Sequence, residues 1–86
     1  MNKYIIEFLG TLFFVYTILA TKRAIPIGLS LMVAIILGGS ISGGNYNPVV
    51  SIIMNAIGVL PSHDLFPYIA CQLAGGLVAL ELYKRV

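Results

Sequence analysis

The stretch that decides the fold reads Ser42-Gly43-Gly44-Asn45-Tyr46-Asn47-Pro48-Val49-Val50-Ser51. It is a polar, glycine-rich segment that leads into a helix start, because Asn is a good N-cap residue and Pro is favoured at the first helical position. The apolar run after it predicts a helix over about residues 48–57. At about 1.5 Å of rise per residue this helix is roughly 15 Å long, half of a bilayer's hydrocarbon core.

A half-length helix that follows a polar loop is typical of a re-entrant membrane element. Irregular backbone survives at membrane depth only where it is buried in protein or lines a water-filled cavity. Lining a cavity is a transport function, so the stretch favours a channel or transporter. The local pattern alone also fits a capped helix at the membrane interface with no pore.

The composition of the chain indicates a membrane protein. Of its 86 residues, 59% are hydrophobic and only 9% are charged, whereas a soluble domain carries about a quarter charged residues. We expect one membrane domain over residues 1–86, with the lipid bilayer as its surroundings. The net charge of +2 is too small to indicate a nucleic-acid partner, and no motif predicts a metal, a cofactor or an enzyme active site.

Three apolar runs are long enough to cross a membrane, which takes about 17–25 residues. They cover about residues 4–20, 25–41 and 65–83. The predicted fold class is therefore an all-α membrane protein with three transmembrane helices and one re-entrant half-helix. In the polar turn before the third span, Ser62 or Asp64 is expected to cap that helix.

The charged residues divide between the two ends of the predicted bundle. One end carries four cations, Lys22, Arg23, Lys84 and Arg85. The other end carries Lys3, the α-amino group, His63 and Asp64. The positive-inside tendency then predicts that the first group faces the cytoplasm.

Glu81 precedes Lys84 and Arg85 at helical spacing, which predicts an ion pair at the membrane interface.

Glu7 lies one turn into the first span, where a carboxylate is costly and is a functional-site hypothesis by default. One interpretation is a carboxylate that binds a proton or a cation. The interpretation we favour is a structural acceptor for loop N–H groups, including those of the Gly43-Gly44 loop.

Asn47 can serve two purposes at the start of the half-helix. Its side-chain oxygen can cap the helix, which leaves its NH2 group as a donor. The helix N-terminus carries a partial positive charge of about half an elementary charge. Two such termini that meet at mid-membrane would repel cations while they offer donors to a neutral solute.

Four segments, in order along the chain, resemble the signature segments of the aquaporin and glycerol-facilitator family, the major intrinsic proteins. They are Glu7-Phe8-Leu9-Gly10-Thr11, Ile27-Gly28-Leu29-Ser30, the loop of residues 42–51, and Tyr68-Ile69-Ala70-Cys71-Gln72-Leu73-Ala74-Gly75-Gly76. The resemblance covers essentially the whole chain and identifies it as a half-length member that matches the first of the family's two repeats. It implies a right-handed bundle of six helices plus two half-helices per pore, four pores per assembly, and passive conduction.

The resemblance also implies roles for individual residues. Asn47 corresponds to the pore-centre asparagine, Pro48 to the helix opener and Glu7 to the carboxylate that supports the loop. The motif reads Asn47-Pro48-Val49 where the family has Asn-Pro-Ala.

Three further positions correspond to the family's outer constriction. Ile27 is at its second-helix position, and Gly44 and Val50 are at its two loop positions if this loop acts as the family's second loop does. Val50 then stands where the family's second repeat usually has an arginine, so the constriction would be apolar.

We therefore expect a subunit of a passive channel for water, small neutral solutes such as glycerol, or both. An inverted second copy would complete the pore, as in transporters and channels built from inverted repeats, and four such pores would contain eight chains. Two alternatives remain open: a small dual-topology exporter that couples to protons through Glu7, and a non-conducting membrane subunit.

Overall fold

A computed structural model describes residues 2–86. It contains four helices: α1 (Lys3–Thr21), α2 (Ala24–Ser42), α3 (Pro48–Ala56) and α4 (Ser62–Arg85). By length and composition α1, α2 and α4 could each cross a membrane. The predicted fold class, with three long apolar helices and one short helix, is therefore confirmed. With 9 residues, α3 is roughly 13 Å long, which is less than half of a bilayer core.

Short capping sequences set the ends of the first two helices. The side chain of Asn2 accepts a hydrogen bond from the Tyr4 N–H at 2.6 Å and so starts α1. Lys22 adopts a left-handed conformation with φ of 54° and ends α1. Gly43 ends α2 in the same region, with φ of 90°, where glycine has no steric penalty.

The helices form an open row in the order α2, α1, α4, α3. Within residues 2–86, α1 packs against both α2 and α4, whereas α3 packs only against α4 among the helices. The helices α1 and α4 run parallel, because Lys3 contacts Asp64 at one end and Lys22 lies over the Tyr83 ring at the other. They approach closely at Gly75, where an added Cβ would collide with the Phe8 carbonyl oxygen.

The interior of the row is rich in polar side chains, and the outside is apolar. The polar and charged side chains buried in the described chain are Glu7, Thr11, Ser30, Ser42, Ser51, Asp64 and Gln72. Large apolar side chains face outward instead, including Ile36 and Leu37, which are 70% and 72% exposed. This distribution suits a chain whose surroundings are lipid and other apolar helices.

The start of α4 corrects the expected cap. The N-cap residue is Pro61, and no side chain caps the helix, so neither Ser62 nor Asp64 acts as the cap. The Asp64 carboxylate instead accepts hydrogen bonds from Lys3 Nζ at 2.7 Å and from the Tyr4 hydroxyl at 2.6 Å. Lys3 adds an opposite charge at 2.7 Å from this buried carboxylate, which a backbone N–H does not supply.

Candidate functional site: the loop before the half-length helix

Glu7 is the centre of a hydrogen-bonded network between α1 and the loop after α2. Its side chain is fully buried. Oε2 accepts from the Ser42 hydroxyl at 2.6 Å and from the Asn45 N–H at 3.2 Å. Oε1 accepts from the Tyr46 N–H at 2.8 Å and from the Gln72 side chain at 2.9 Å. Four donors therefore satisfy the carboxylate, as a buried charge requires.

The loop amides bound to Glu7 are not those of the two glycines. The Gly43 N–H bonds to the Gly39 carbonyl at 2.8 Å, and the Gly44 N–H bonds to the Ser42 hydroxyl at 3.2 Å. Within the Gly43-Gly44 loop, the N–H groups from which Glu7 accepts are therefore those of Asn45 and Tyr46. The two glycines turn the chain with positive φ values of 90° and 64°, and the amides that reach the carboxylate belong to the next two residues.

Gln72 and Ser51 extend the network to α4 and α3. Gln72 Nε2 donates to Ser51 Oγ at 2.8 Å in addition to its bond to Glu7. Asn45 Nδ2 donates to the same oxygen at 2.9 Å. Since Ser51 is fully buried in α3, these bonds attach the half-length helix to the other elements.

Tyr46 anchors the loop against α1 and α2. Its hydroxyl donates to the Ala34 carbonyl at 2.6 Å, and its ring is 3% exposed. An added Cβ on Gly10 would collide with the ring, and one on Gly38 would collide with the hydroxyl. Glycine at these two positions therefore provides the space that the tyrosine occupies.

Asn47 and Pro48 start α3 in the predicted way. Asn47 Oδ1 accepts from the Val49 N–H at 2.8 Å, and Pro48 is the first helical residue. The Asn47 side chain is exposed, and its Nδ2 donates no hydrogen bond within residues 2–86. The NH2 group is thus free to meet a solute or a second chain.

A cavity of about 480 Å³ lies at the N-terminus of α3, between α1 and α4. It extends from Asn47 and Pro48 to Leu19 and Leu80, towards the far ends of those two helices. Two buried side-chain oxygens without a hydrogen-bond partner in the described chain, Thr11 Oγ1 and Gln72 Oε1, belong to residues that line it.

The three predicted constriction residues do not come together within one chain. Gly44 and Val50 are half-buried on either side of Asn47 in the loop and in α3. Ile27 lies in the first turn of α2, whereas the loop follows its last residue, Ser42. The loop then folds back along α2, because a Cβ on Gly44 would lie 3.4 Å from Gly39 Cα and 3.5 Å from Ile35 Cγ1. Ile35 is eight residues from Ile27, which corresponds to roughly 12 Å along the helix axis.

Sequence reasoning found Glu7 and Asn47 but did not assign Gln72, Ser51 or Tyr46 to the site. The sequence did contain a signal for Gln72. Like Glu7, it is a long polar side chain within an apolar span, and such a side chain is costly to bury without a partner. Their pairing was not visible, since the two residues are 65 positions apart. Within residues 2–86, no three His, Cys, Asp or Glu side chains are grouped so as to hold a metal ion.

The fold and the site together define a multi-pass helical membrane protein with a half-length helix that starts at an Asn-Pro pair. The sequence profile of the family described as Major intrinsic protein matches residues 20–86. The chain belongs to this family, whose aquaporins are channels and not enzymes.

Individual relatives agree with the family assignment. Aquaporin Z of Brucella melitensis is 34% identical over 95% of this chain and 42% of its own length. The glycerol uptake facilitator protein-like 6 of Lactiplantibacillus plantarum is 35% identical over 98% of the chain and 43% of its length. Aquaporin-8 of Mus musculus is 43% identical over 76% of the chain and 25% of its length. The chain thus spans less than half the length of these relatives.

Proposed function

We propose that this chain is half of a passive channel for water and small neutral solutes such as glycerol, and that a second copy inserted in the opposite direction completes the pore. The observation that carries the proposal is the open row of helices, with the half-length helix α3 at one edge and a cavity beyond its N-terminus. The printed names of the relatives, an aquaporin and a glycerol uptake facilitator, support the solute class.

The open row leaves apolar surface at both edges. Val49 on α3 is 65% exposed, and α2, at the other edge, contacts only α1 among the helices of the described chain. A pore requires a closed wall, and the four helices of one copy do not close on themselves. A second row of the same shape would cover both edges and enclose the cavity.

The N-terminus of α3 favours an inverted partner over a parallel one. A helix of this length ends near mid-membrane, where lipid cannot satisfy its free N–H groups or the Asn47 NH2 group. A half-length helix that enters from the opposite face would meet it there and complete a wall around pore water. A two-fold axis in the membrane plane supplies such a helix from the same sequence.

An inverted copy would also assemble the predicted constriction. Inversion would bring Ile27 of one copy to the half of the membrane that contains Gly44 and Val50 of the other copy. The separation of roughly 12 Å along α2 between Ile27 and Ile35, the residue beside Gly44, is then a reason for two copies. The resulting constriction would be apolar, and four such pores would make an assembly of eight chains.

The hydrogen bonds of Glu7 support a channel over a proton-coupled exporter. A coupling carboxylate has to exchange protons with water, whereas both Glu7 oxygens accept bonds from protein donors and the side chain is fully buried. We assign Glu7 the structural role of holding the loop.

Liposomes that contain only this chain test the conduction. Osmotic shrinkage and glycerol-driven swelling, followed by stopped-flow light scattering, should both be faster than in protein-free vesicles, and neither rate should change when a pH gradient is imposed. Rates equal to those of protein-free vesicles, with the protein shown to be inserted and helical, would reject the self-sufficient pore. Dependence on the pH gradient would favour the exporter.

Interchain cross-linking tests the inverted arrangement separately. Two variants in a Cys71→Ala background, His63→Cys and Ala24→Cys, carry thiols at opposite ends of the bundle. In an inverted pair the two thiols lie at one membrane face, and a flexible bis-maleimide should join the two variants. In parallel pairs a bilayer core of about 30 Å separates them, so exclusive His63→Cys homodimers would disprove the inverted pore.

A further inference from the structure

We propose that one end of the helix row is a binding surface for the phosphate headgroups of anionic phospholipids. This basic end is defined by four residues: Lys22, Arg23, Lys84 and Arg85. The proposal concerns the lipid that surrounds the protein and does not depend on the proposed conduction or on the inverted pair.

The fold, and not only the sequence, gathers the four cations. Lys22 and Arg23 form the turn between α1 and α2, and Lys84 and Arg85 end α4, about 60 positions further along the chain. The parallel packing of α1 and α4 brings these segments together. Lys22 Nζ lies 5.9 Å from the centre of the Tyr83 ring, within the range of a cation–π contact.

The acidic side chains of the protein do not neutralise this end. Among the side chains of residues 2–86, Glu81 supplies the one carboxylate at this end, at 3.8 Å from Lys84 Nζ and 3.4 Å from Arg85 Nη2. Within residues 2–86, neither Lys22 nor Arg23 forms an ion pair. Four cations and one carboxylate leave three net positive side-chain charges. The side chains of Lys84 and Arg85 are 60% and 77% exposed, so they can reach a ligand.

The opposite end of the bundle has no such excess of charge. Among the side chains of residues 2–86, the permanent cation at that end is Lys3, which is paired with the buried Asp64 at 2.7 Å. That pair cancels, and His63 adds charge only when it is protonated. The asymmetry between the ends is therefore about three charges, and it makes the basic end the part of the molecule that attracts anions.

The position of the cations points to lipid phosphate as the anion. Tyr83, next to them, is the kind of residue that lies at the membrane–water interface. Lys and Arg side chains near helix ends extend from the apolar surface to the headgroup level. Anionic lipid attracts each such cation by an amount that corresponds to a roughly 5-fold gain in binding.

Native mass spectrometry of the detergent-solubilised chain tests the proposal. Phosphatidylglycerol and phosphatidylcholine with the same acyl chains are added together, and the retained lipids are counted. The wild type should retain the anionic lipid preferentially. The double variants K22Q/R23Q and K84Q/R85Q should each lose this preference by about 25-fold, at roughly 5-fold per cation removed.

Two matched variants keep the test specific for charge at this end. K22R/K84R keeps the charge and should keep the preference, whereas Glu81→Gln removes the carboxylate and should raise the preference about 5-fold. All these side chains are exposed, so helical content by circular dichroism should not change.

Inorganic phosphate at millimolar concentration should not displace the lipid; displacement would assign the site to free phosphate. Equal retention of both lipids by the wild type, or an unchanged preference in both double variants, would overturn the proposal.

Discussion

Gln72 in α4 donates a hydrogen bond of 2.9 Å to the carboxylate of Glu7 in α1, across 65 positions of the chain. Both side chains are at most 2% exposed. Through this bond the carboxylate that holds the loop is itself held by the helix on which α3 packs. The position of the half-length helix therefore depends on a polar network, not on its own apolar contacts alone.

Glu7→Gln should destabilise the protein. The amide keeps one acceptor oxygen, but its NH2 group faces donors, so at least one buried donor loses its partner. We expect the free energy of unfolding, measured in mixed detergent–SDS micelles, to fall by about 1–3 kcal/mol. Glu81→Gln is the control, because that carboxylate is 54% exposed and its loss should be close to neutral. If Glu7→Gln were as stable as the wild type, the carboxylate would not hold the loop.

Gly38→Ala and Gly39→Ala should have opposite effects although the two residues are adjacent in α2. A Cβ at Gly38 would collide with the Tyr46 hydroxyl and lie 2.6 Å from Ile6 Cγ2, so overpacking should cost about 1–3 kcal/mol. A Cβ at Gly39 finds its nearest neighbour at 3.6 Å, and helix propensity should add up to about 1 kcal/mol. The same unfolding assay measures both, and equal effects would contradict the assigned position of Tyr46.

Tyr46→Phe should rescue Gly38→Ala in part but should not rescue Gly10→Ala. Removal of the hydroxyl takes away the atom that an alanine at position 38 would meet first. At position 10 the colliding atoms are ring carbons, including Cζ at 2.6 Å and Cδ1 at 2.7 Å, and phenylalanine retains them. A double-mutant cycle should therefore give a coupling of at least about 0.5 kcal/mol for the first pair. Coupling near zero for Tyr46 with Gly38 would disagree with the structure.

Asn47→Ala should reduce both stability and conduction, whereas Asn2→Ala should reduce stability alone. Each asparagine caps a helix through its side-chain oxygen, to Val49 N–H at 2.8 Å and to Tyr4 N–H at 2.6 Å. Each loss should cost about 0.5–2 kcal/mol. In the proposed channel the Asn47 NH2 group also faces the pore, so only that variant should slow osmotic water flux in liposomes. Unchanged flux in Asn47→Ala liposomes would remove Asn47 from the proposed mechanism.

Local sequence was sufficient to predict the elements themselves. Three runs of apolar residues indicated three long helices, and the pair Asn47-Pro48 indicated a short one, because hydropathy over one span and capping at one residue are properties of neighbours in the chain. The carboxylate of Glu7 stood out for a similar reason, since a lone charge in an apolar run is costly wherever the helix packs.

Only the tertiary structure decided which residues the polar side chains of these helices contact. The donors to Glu7, the position of the Tyr46 ring between Gly10 and Gly38, and the pairing of Asp64 with Lys3 join residues 8 to 65 positions apart. The order of the helices in the open row decides such contacts, and helix-forming patterns carry no information on that order. Asp64 illustrates the difference. Its position in the chain suggested a helix cap, but the parallel packing of α1 and α4 brings the Lys3 ammonium and the Tyr4 hydroxyl to its carboxylate.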